Sequence, residues 1–274
     1  MPLSRYSLTF VSLPALAALI LGLQAWQPVA ESGTIANADL SENKIIKSEV
    51  LGYDLQYRVF APEGIESMSN VSVIYVTDGQ WYIESGELPA LMKRLINEGA
   101  IEPVVAVFVD NRDPHNLNDN RRNAQFFCNP NYISFFENEL IPSIEKVYPV
   151  GKNRNSRTIL GLSFGGLNSA CFGIMASDTF KGIAMQSPAM RPVRTIHSQY
   201  QQSEDLDLKI FLTSGTDRDN EDATRRLRDV IKEKGYQMEY IEVPYGHNWQ
   251  NWKPLLEDFL RYYYLVSNPD EGSD

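Results

Sequence analysis

Gly161-Leu162-Ser163-Phe164-Gly165-Gly166 stands between the apolar run Thr158-Ile159-Leu160 and a small-residue apolar segment from Leu167 to Met175. The first reads as the end of a buried strand, the second as a helix. A serine between them sits on a tight strand-to-helix turn, and only glycines let a backbone fold that closely around it. Such a turn forces the hydroxyl outward, where it can serve as a nucleophile. The same reading makes the N–H of Phe164, the next residue, a donor for a developing oxyanion.

Strands and helices alternate on both sides of this turn. Lys44 to Val50 and Tyr53 to Phe60 flank Leu51-Gly52, which predicts a hairpin. Val71 to Val76 and Val104 to Val109 are β-branched runs of the kind found in buried parallel strands, with a helical pattern over Leu88 to Asn97 between them. Asp110 to Pro130 is polar, rich in Asn and Asp, and shows no period, so a long loop is expected there. Beyond it lie a helix from Tyr132 to Val147, strands at Phe180 to Gln186, Leu208 to Thr213 and Gln237 to Val243, and helices at Glu221 to Lys234 and Trp252 to Leu265. The alternation predicts an α/β fold with a mostly parallel central sheet and helices on both faces.

A serine hydroxyl needs a neighbouring base. The chain has 3 histidines. His247 follows the last strand in Pro244-Tyr245-Gly246-His247-Asn248-Trp249, the loop on which a serine, acid, histidine chain order places its base. The acid is expected on Ser214-Gly215-Thr216-Asp217-Arg218-Asp219, after the preceding strand. Asp219 is favoured there and Asp217 is the alternative; Asp219 also stands where it would cap the helix that follows. The second oxyanion donor should come from Thr77-Asp78-Gly79-Gln80-Trp81, with Gln80 first and Trp81 next.

Asp78-Gly79-Gln80-Trp81, the serine turn, Tyr245-Gly246-His247-Asn248-Trp249 and Glu139-Leu140-Ile141-Pro142 together resemble the putative-esterase family. That family includes esterase D, feruloyl and acetylxylan esterases, mycolyltransferases and enterobactin esterases. The resemblance runs from about Lys47 to Tyr263 and implies an α/β-hydrolase fold and a serine carboxylic-ester hydrolase with neither metal nor organic cofactor. Its substrate would be a siderophore lactone, a feruloyl or acetyl sugar ester, or a small ester. An acyltransferase on the same fold is the alternative, and a non-catalytic binding module the third reading. The chain departs from the pattern at Arg218, where many members carry the acid, and at Ser187-Pro188-Ala189-Met190-Arg191, where siderophore esterases often carry tryptophans.

Substrate contacts are expected from Trp81, Arg121, Arg122 and Trp249, and Arg191 and Arg194 are further candidates for an anionic group. His115 and His197 lack metal-ligand spacing and read as surface residues. A formal charge of −10 argues against nucleic acid, whose phosphates call for a basic surface. Residues 1–25 read as a signal peptide: Arg5, an apolar stretch from Leu8 to Leu23, then Ala25. An uncleaved anchor is the alternative and the only membrane contact expected. The reading is thus an exported enzyme, periplasmic or secreted, with a linker over 26–42, a catalytic domain over 43–266 and a flexible tail over 267–274. Cys128 and Cys171 are expected as two free thiols, the latter an ordinary buried residue of the helix behind Ser163.

Overall fold

The computed structural model describes residues 40–266, so the expected signal segment, most of the linker and the tail lie outside the described residues. Ten strands run β1 (Lys44–Ser48), β2 (Tyr53–Phe60), β3 (Ser72–Thr77), β4 (Val104–Asp110), β5 (Arg112–Asp113), β6 (Asn116–Asn120), β7 (Arg157–Leu162), β8 (Gly182–Gln186), β9 (Lys209–Gly215) and β10 (Gln237–Val243). Eight form one sheet in the order β1-β2-β4-β3-β7-β8-β9-β10. Only the β1–β2 and β2–β4 pairings are antiparallel; every pairing from β4 to β10 is parallel.

Period-2 alternation divides the core between the two faces. Val73 and Tyr75 of β3 and Val105, Val107 and Val109 of β4 join one apolar cluster. Ile74 and Val76, with Val104, Ala106 and Phe108, join the other. On the first face lie α3 (Arg122–Phe126), α4 (Pro130–Phe135), α5 (Ile141–Val147), α6 (Phe164–Met175), α7 (Ile196–Gln202) and α8 (Glu221–Glu233). On the second lie α1 (Gly79–Glu84), α2 (Leu88–Asn97), α9 (Trp249–Trp252) and α10 (Leu255–Tyr264). None of these helices is long and apolar enough to cross a membrane.

The helix expected over Tyr132 to Val147 is α4 and α5 joined by a π turn at Phe136–Leu140. Pro142 has no N–H and its ring crowds the carbonyl four residues back; the wider turn, with Ile141 N–H bonded to Phe136 O, relieves that crowding.

Two expectations need correction, and two short helices, α1 and α7, go beyond what the residue pattern signals. Asp110 to Pro130 is not one long loop: it holds the ribbon β5–β6 and helix α3. Its order comes from short side chains bonding the backbone two residues on, as in Arg112 N–H to Asp110 (3.0 Å), His115 N–H to Asp113 (2.8 Å) and Arg122 N–H to Asn120 (3.0 Å). Hydrophobic periodicity does not register such order. Finally, Cys128 and Cys171 form a disulfide, with Cα atoms 5.1 Å apart. Cys128 has φ 52°, which turns the end of α3 back onto α6.

Candidate active site

Ser163 has φ 55° and ψ −117°, a conformation that costs a non-glycine residue about 1–3 kcal/mol. Its surroundings hold it there: Ser163 N–H bonds Gln186 O at 2.8 Å and Ala189 N–H bonds Ser163 O at 2.9 Å. Gly161 makes the turn sterically feasible, since a Cβ there would come within 2.2 Å of Gly165 O. The strand β7 thus delivers a partly exposed serine at its C-terminal end, at the mouth of α6.

His247, on the loop between β10 and α9, places Nε2 2.7 Å from Ser163 Oγ. Its Nδ1 lies 2.5 Å from Asp219 Oδ1. The Trp252 ring stands edge-on to the imidazole, centroids 4.9 Å apart. The Asp219 side chain is fully buried while the imidazole remains 34% exposed, so the chain of bonds runs from interior to solvent. The second oxygen of Asp219 accepts from Ser187 Oγ (2.5 Å), Gly215 N–H (2.6 Å), Asn251 Nδ2 (3.1 Å) and Ser214 Oγ (3.3 Å). Burial pushes this carboxyl up, but the bonds from His247, Ser187 and Gly215 outweigh it and hold Asp219 below the ordinary carboxylate value.

Asp217 is not part of this arrangement. Its side chain is 61% exposed and pairs with Arg218. Nor does Asp219 cap the following helix, whose N-cap residue is Asn220.

The other expected donors divide cleanly. The N–H groups of Phe164 and Gln80 have no partner among the described residues, at the first turns of α6 and α1. Trp81 N–H is taken by Asp78 O at 2.9 Å, so of the two expected donors there Gln80 is the free one. Gly79 lets the turn press against β4: a Cβ there would meet the Phe108 carbonyl carbon at 2.5 Å.

The expected substrate contacts are placed as follows. Arg121 is committed to the outer ribbon, bonded to Asp113 and to Asp119 (3.0 Å) over the Tyr53 ring. Arg122 bonds the buried carboxylate of Asp78 and lies beside the Trp81 ring. Burial pushes the Asp78 carboxyl up to about 6 despite Arg122. Trp249 packs edge-on against Tyr82 and Trp252 and borders an apolar groove of about 670 Å³ with Leu91 and Pro254. Arg191 and Arg194, with Arg226, line a cavity of about 500 Å³ that also touches Asp219. His115 bonds Asp54 and His197 bonds Ala223 O, both away from Ser163.

The groups behind Asp219 leave little trace in the residue pattern. Ser187 Oγ also accepts from Trp252 Nε1 (2.9 Å) and Asn251 Nδ2 (3.1 Å), and Asn251 is fully buried. The available signal was a second asparagine in Asn248-Trp249-Gln250-Asn251-Trp252, polar on the inward side of a helix.

A serine at positive φ after a parallel strand, bonded to a histidine on the last loop of a sheet ordered in this way, defines an α/β-hydrolase. Residues 48–263 match the model of the family described as "Putative esterase". The chain belongs to that family, and so to the carboxylic-ester hydrolases. An uncharacterized protein, YjcH, of Bacillus subtilis (strain 168) is 23% identical over 243 residues, covering 82% of this chain and 97% of that protein. Among solved structures, the enterobactin esterase of Shigella flexneri, in the presence of enterobactin, superposes with a TM-score of 0.73 at 20% identity over 81% of this chain. The chain spans 58% of that protein's length. A ferulic acid esterase gives a TM-score of 0.70 at 22% identity, covering 82% of this chain and 98% of its own. At such identities these structures bear on the fold.

Proposed function

We propose that this enzyme cleaves carboxylic esters through a covalent acyl-enzyme on Ser163. Ser163 Oγ attacks the ester carbonyl carbon while His247 Nε2 takes the hydroxyl proton. The carbonyl oxygen becomes an oxyanion and accepts from Phe164 and Gln80 N–H, two donors with no other claim on them. Collapse expels the alcohol, which leaves with the proton from Nε2. Water then attacks the acyl carbon and gives a proton to Nε2, which passes it to the departing Ser163 Oγ as the free acid is released. Asp219 holds Nδ1 protonated, so that Nε2 carries the lone pair, and stabilises the imidazolium that forms.

The observation that carries this reading is the continuous hydrogen-bonded chain from Asp219 through His247 to Ser163, at 2.5 and 2.7 Å. The acceptable esters are siderophore lactones, feruloyl or acetyl sugar esters, and small esters, the names of similar proteins pointing to the first two. We propose export as well, on the signal-like pattern of residues 1–25 and on a disulfide that persists only outside a reducing cytosol.

A fluorophosphonate should label Ser163 and abolish hydrolysis of p-nitrophenyl acetate, and the Ser163→Ala protein should take no label. Labelling elsewhere, or hydrolysis surviving full labelling, overturns the acyl-enzyme. Comparing enterobactin with methyl ferulate and acetylated xylan then assigns the substrate. Products from an added alcohol acceptor that outweigh the free acid would make the enzyme a transferase.

A further inference from the structure

The two oxyanion donors come from separate segments, the turn after β3 and the turn after β7. The parallel ladder between these strands ends at the pair Val76 and Leu160, short of both donors. Past that point Arg122 joins them. Its Nε donates to both oxygens of Asp78 at 2.8 and 3.0 Å, and Nη2 donates to Asp78 Oδ2 at 2.8 Å and to Leu162 O at 3.2 Å. Asp78 precedes the Gly79-Gln80 turn, at φ 57°, and its side chain is fully buried; Leu162 precedes Ser163. The guanidinium is only 13% exposed and lies 5.1 Å from the Phe164 ring centroid, 5.2 Å from Trp81 and 5.6 Å from Phe126. Two of these rings belong to the donor segments themselves.

We infer that Arg122 is a positioning residue that fixes the separation of the Gln80 and Phe164 N–H groups by clamping Asp78 to the carbonyl of Leu162. This rests on the reading of Ser163 as nucleophile. A planar fork suits the task, because it reaches a carboxylate and a carbonyl at once in a fixed plane, which a lysine ammonium on a flexible stem does not. Oxyanion donors act by being already in place when charge develops, so a shift of a fraction of an ångström weakens the transition state and leaves ground-state binding largely alone. The α3 helix that carries Arg122 is tied to α6 by the Cys128–Cys171 disulfide, so the clamp rests on a covalently fixed base.

The test is Arg122→Lys, which keeps a charge beside Asp78, together with the double variant Asp78→Asn/Arg122→Met, which leaves no uncompensated buried charge. With p-nitrophenyl acetate, kcat should fall about 10- to 100-fold with KM within about twofold. Affinity for a trifluoromethyl ketone, whose hemiketal with Ser163 carries the oxyanion, should weaken by the same factor. Thermal unfolding reports which variant is folded, and wild-type kcat and inhibitor affinity in either folded variant overturn the inference. A raised KM at unchanged kcat also overturns it, by making Arg122 a substrate contact. Ser163→Ala separates this from failure of the underlying reading: if that variant still hydrolyses the ester, the nucleophile is wrong. If it is dead while Arg122→Lys is fully active, only the clamp is wrong.

Discussion

Replacing Asp219 by asparagine should silence the enzyme through a tautomer. One oxygen of Asp219 faces four donors, the hydroxyls of Ser187 and Ser214, Gly215 N–H and the Asn251 amide; the other faces His247 Nδ1. An asparagine has one acceptor oxygen to offer, and the four donors claim it. Its NH2 then points at Nδ1 and donates to it. The imidazole must carry its proton on Nε2, facing Ser163 Oγ, and has no lone pair for the serine proton. A triad trapped in the wrong tautomer loses about 10⁴-fold in turnover, or about 5 kcal/mol at 1.36 kcal/mol per decade. Folding should change little, because the carbonyl still satisfies the inner donors. KM should hold, since Asp219 lies behind the histidine. The assay is steady-state hydrolysis of p-nitrophenyl acetate beside urea unfolding, with Asp217→Asn as the control. Asp217 reaches only Arg218 and should keep near-normal turnover. A folded Asp219→Asn enzyme with more than a tenth of wild-type kcat would refute the tautomer reasoning, as would an equal loss in Asp217→Asn.

Ser163→Ala should remove at least about 10⁴-fold of the activity with an unchanged unfolding transition. Turnover should be indifferent to EDTA; loss in chelator restored by a divalent metal would point to a metal-bound water. Removing the disulfide, which closes a sequence separation of 43, as Cys128→Ser/Cys171→Ala should cost about 4 kcal/mol and lower Tm by roughly 8–16 °C in differential scanning fluorimetry. Asp78 works in the opposite sense to an ordinary paired carboxylate: its folded value of about 6 lies above the unfolded value of about 3.9, so its contribution to stability is present below pH ~4 and lost as pH rises through 6. Urea unfolding should therefore show Asp78→Asn gaining stability relative to wild type as pH rises from 4 to 7; a constant difference would mean that Asp78 titrates normally.

Much of this was legible in the sequence because it depends on local constraints. The serine turn announces itself through Gly161 and Gly165, the helix α2 through its period and the parallel strands through continuous β-branched runs. His247 was legible by position after the last strand. What escaped depended on contacts distant in sequence. Asp217 and Asp219 cannot be told apart until Ser187, Gly215 and Asn251 are seen converging on one of them. Cys128 reads as unpaired because its partner is set by the backbone reversal at the end of α3, not by spacing. Arg122, expected to meet the substrate, lies instead where Asp78, Leu162 and three aromatic rings have already engaged its guanidinium. An arginine in a polar segment gives no sign of which carboxylate it will find.

The two buried aspartates at this site show how donor supply divides one residue type into two roles. Asp219 is reached by side-chain hydroxyls, a backbone N–H and an amide besides the imidazole, and is held charged. Asp78 has Arg122 as its main support against full burial, and its carboxyl is pushed up to about 6. A carboxylate kept charged by many donors can stabilise an imidazolium without accepting its proton, which is what the acid behind a general base must do. A carboxylate that depends on one cation instead binds that cation obligatorily: separating the pair would leave an uncompensated charge in the interior, a loss of about 3–5 kcal/mol. Asp78 and Arg122 are therefore held together by the cost of parting, and whatever they touch is held with them. They touch the two turns that carry Gln80 and Phe164 N–H, the oxyanion donors we propose.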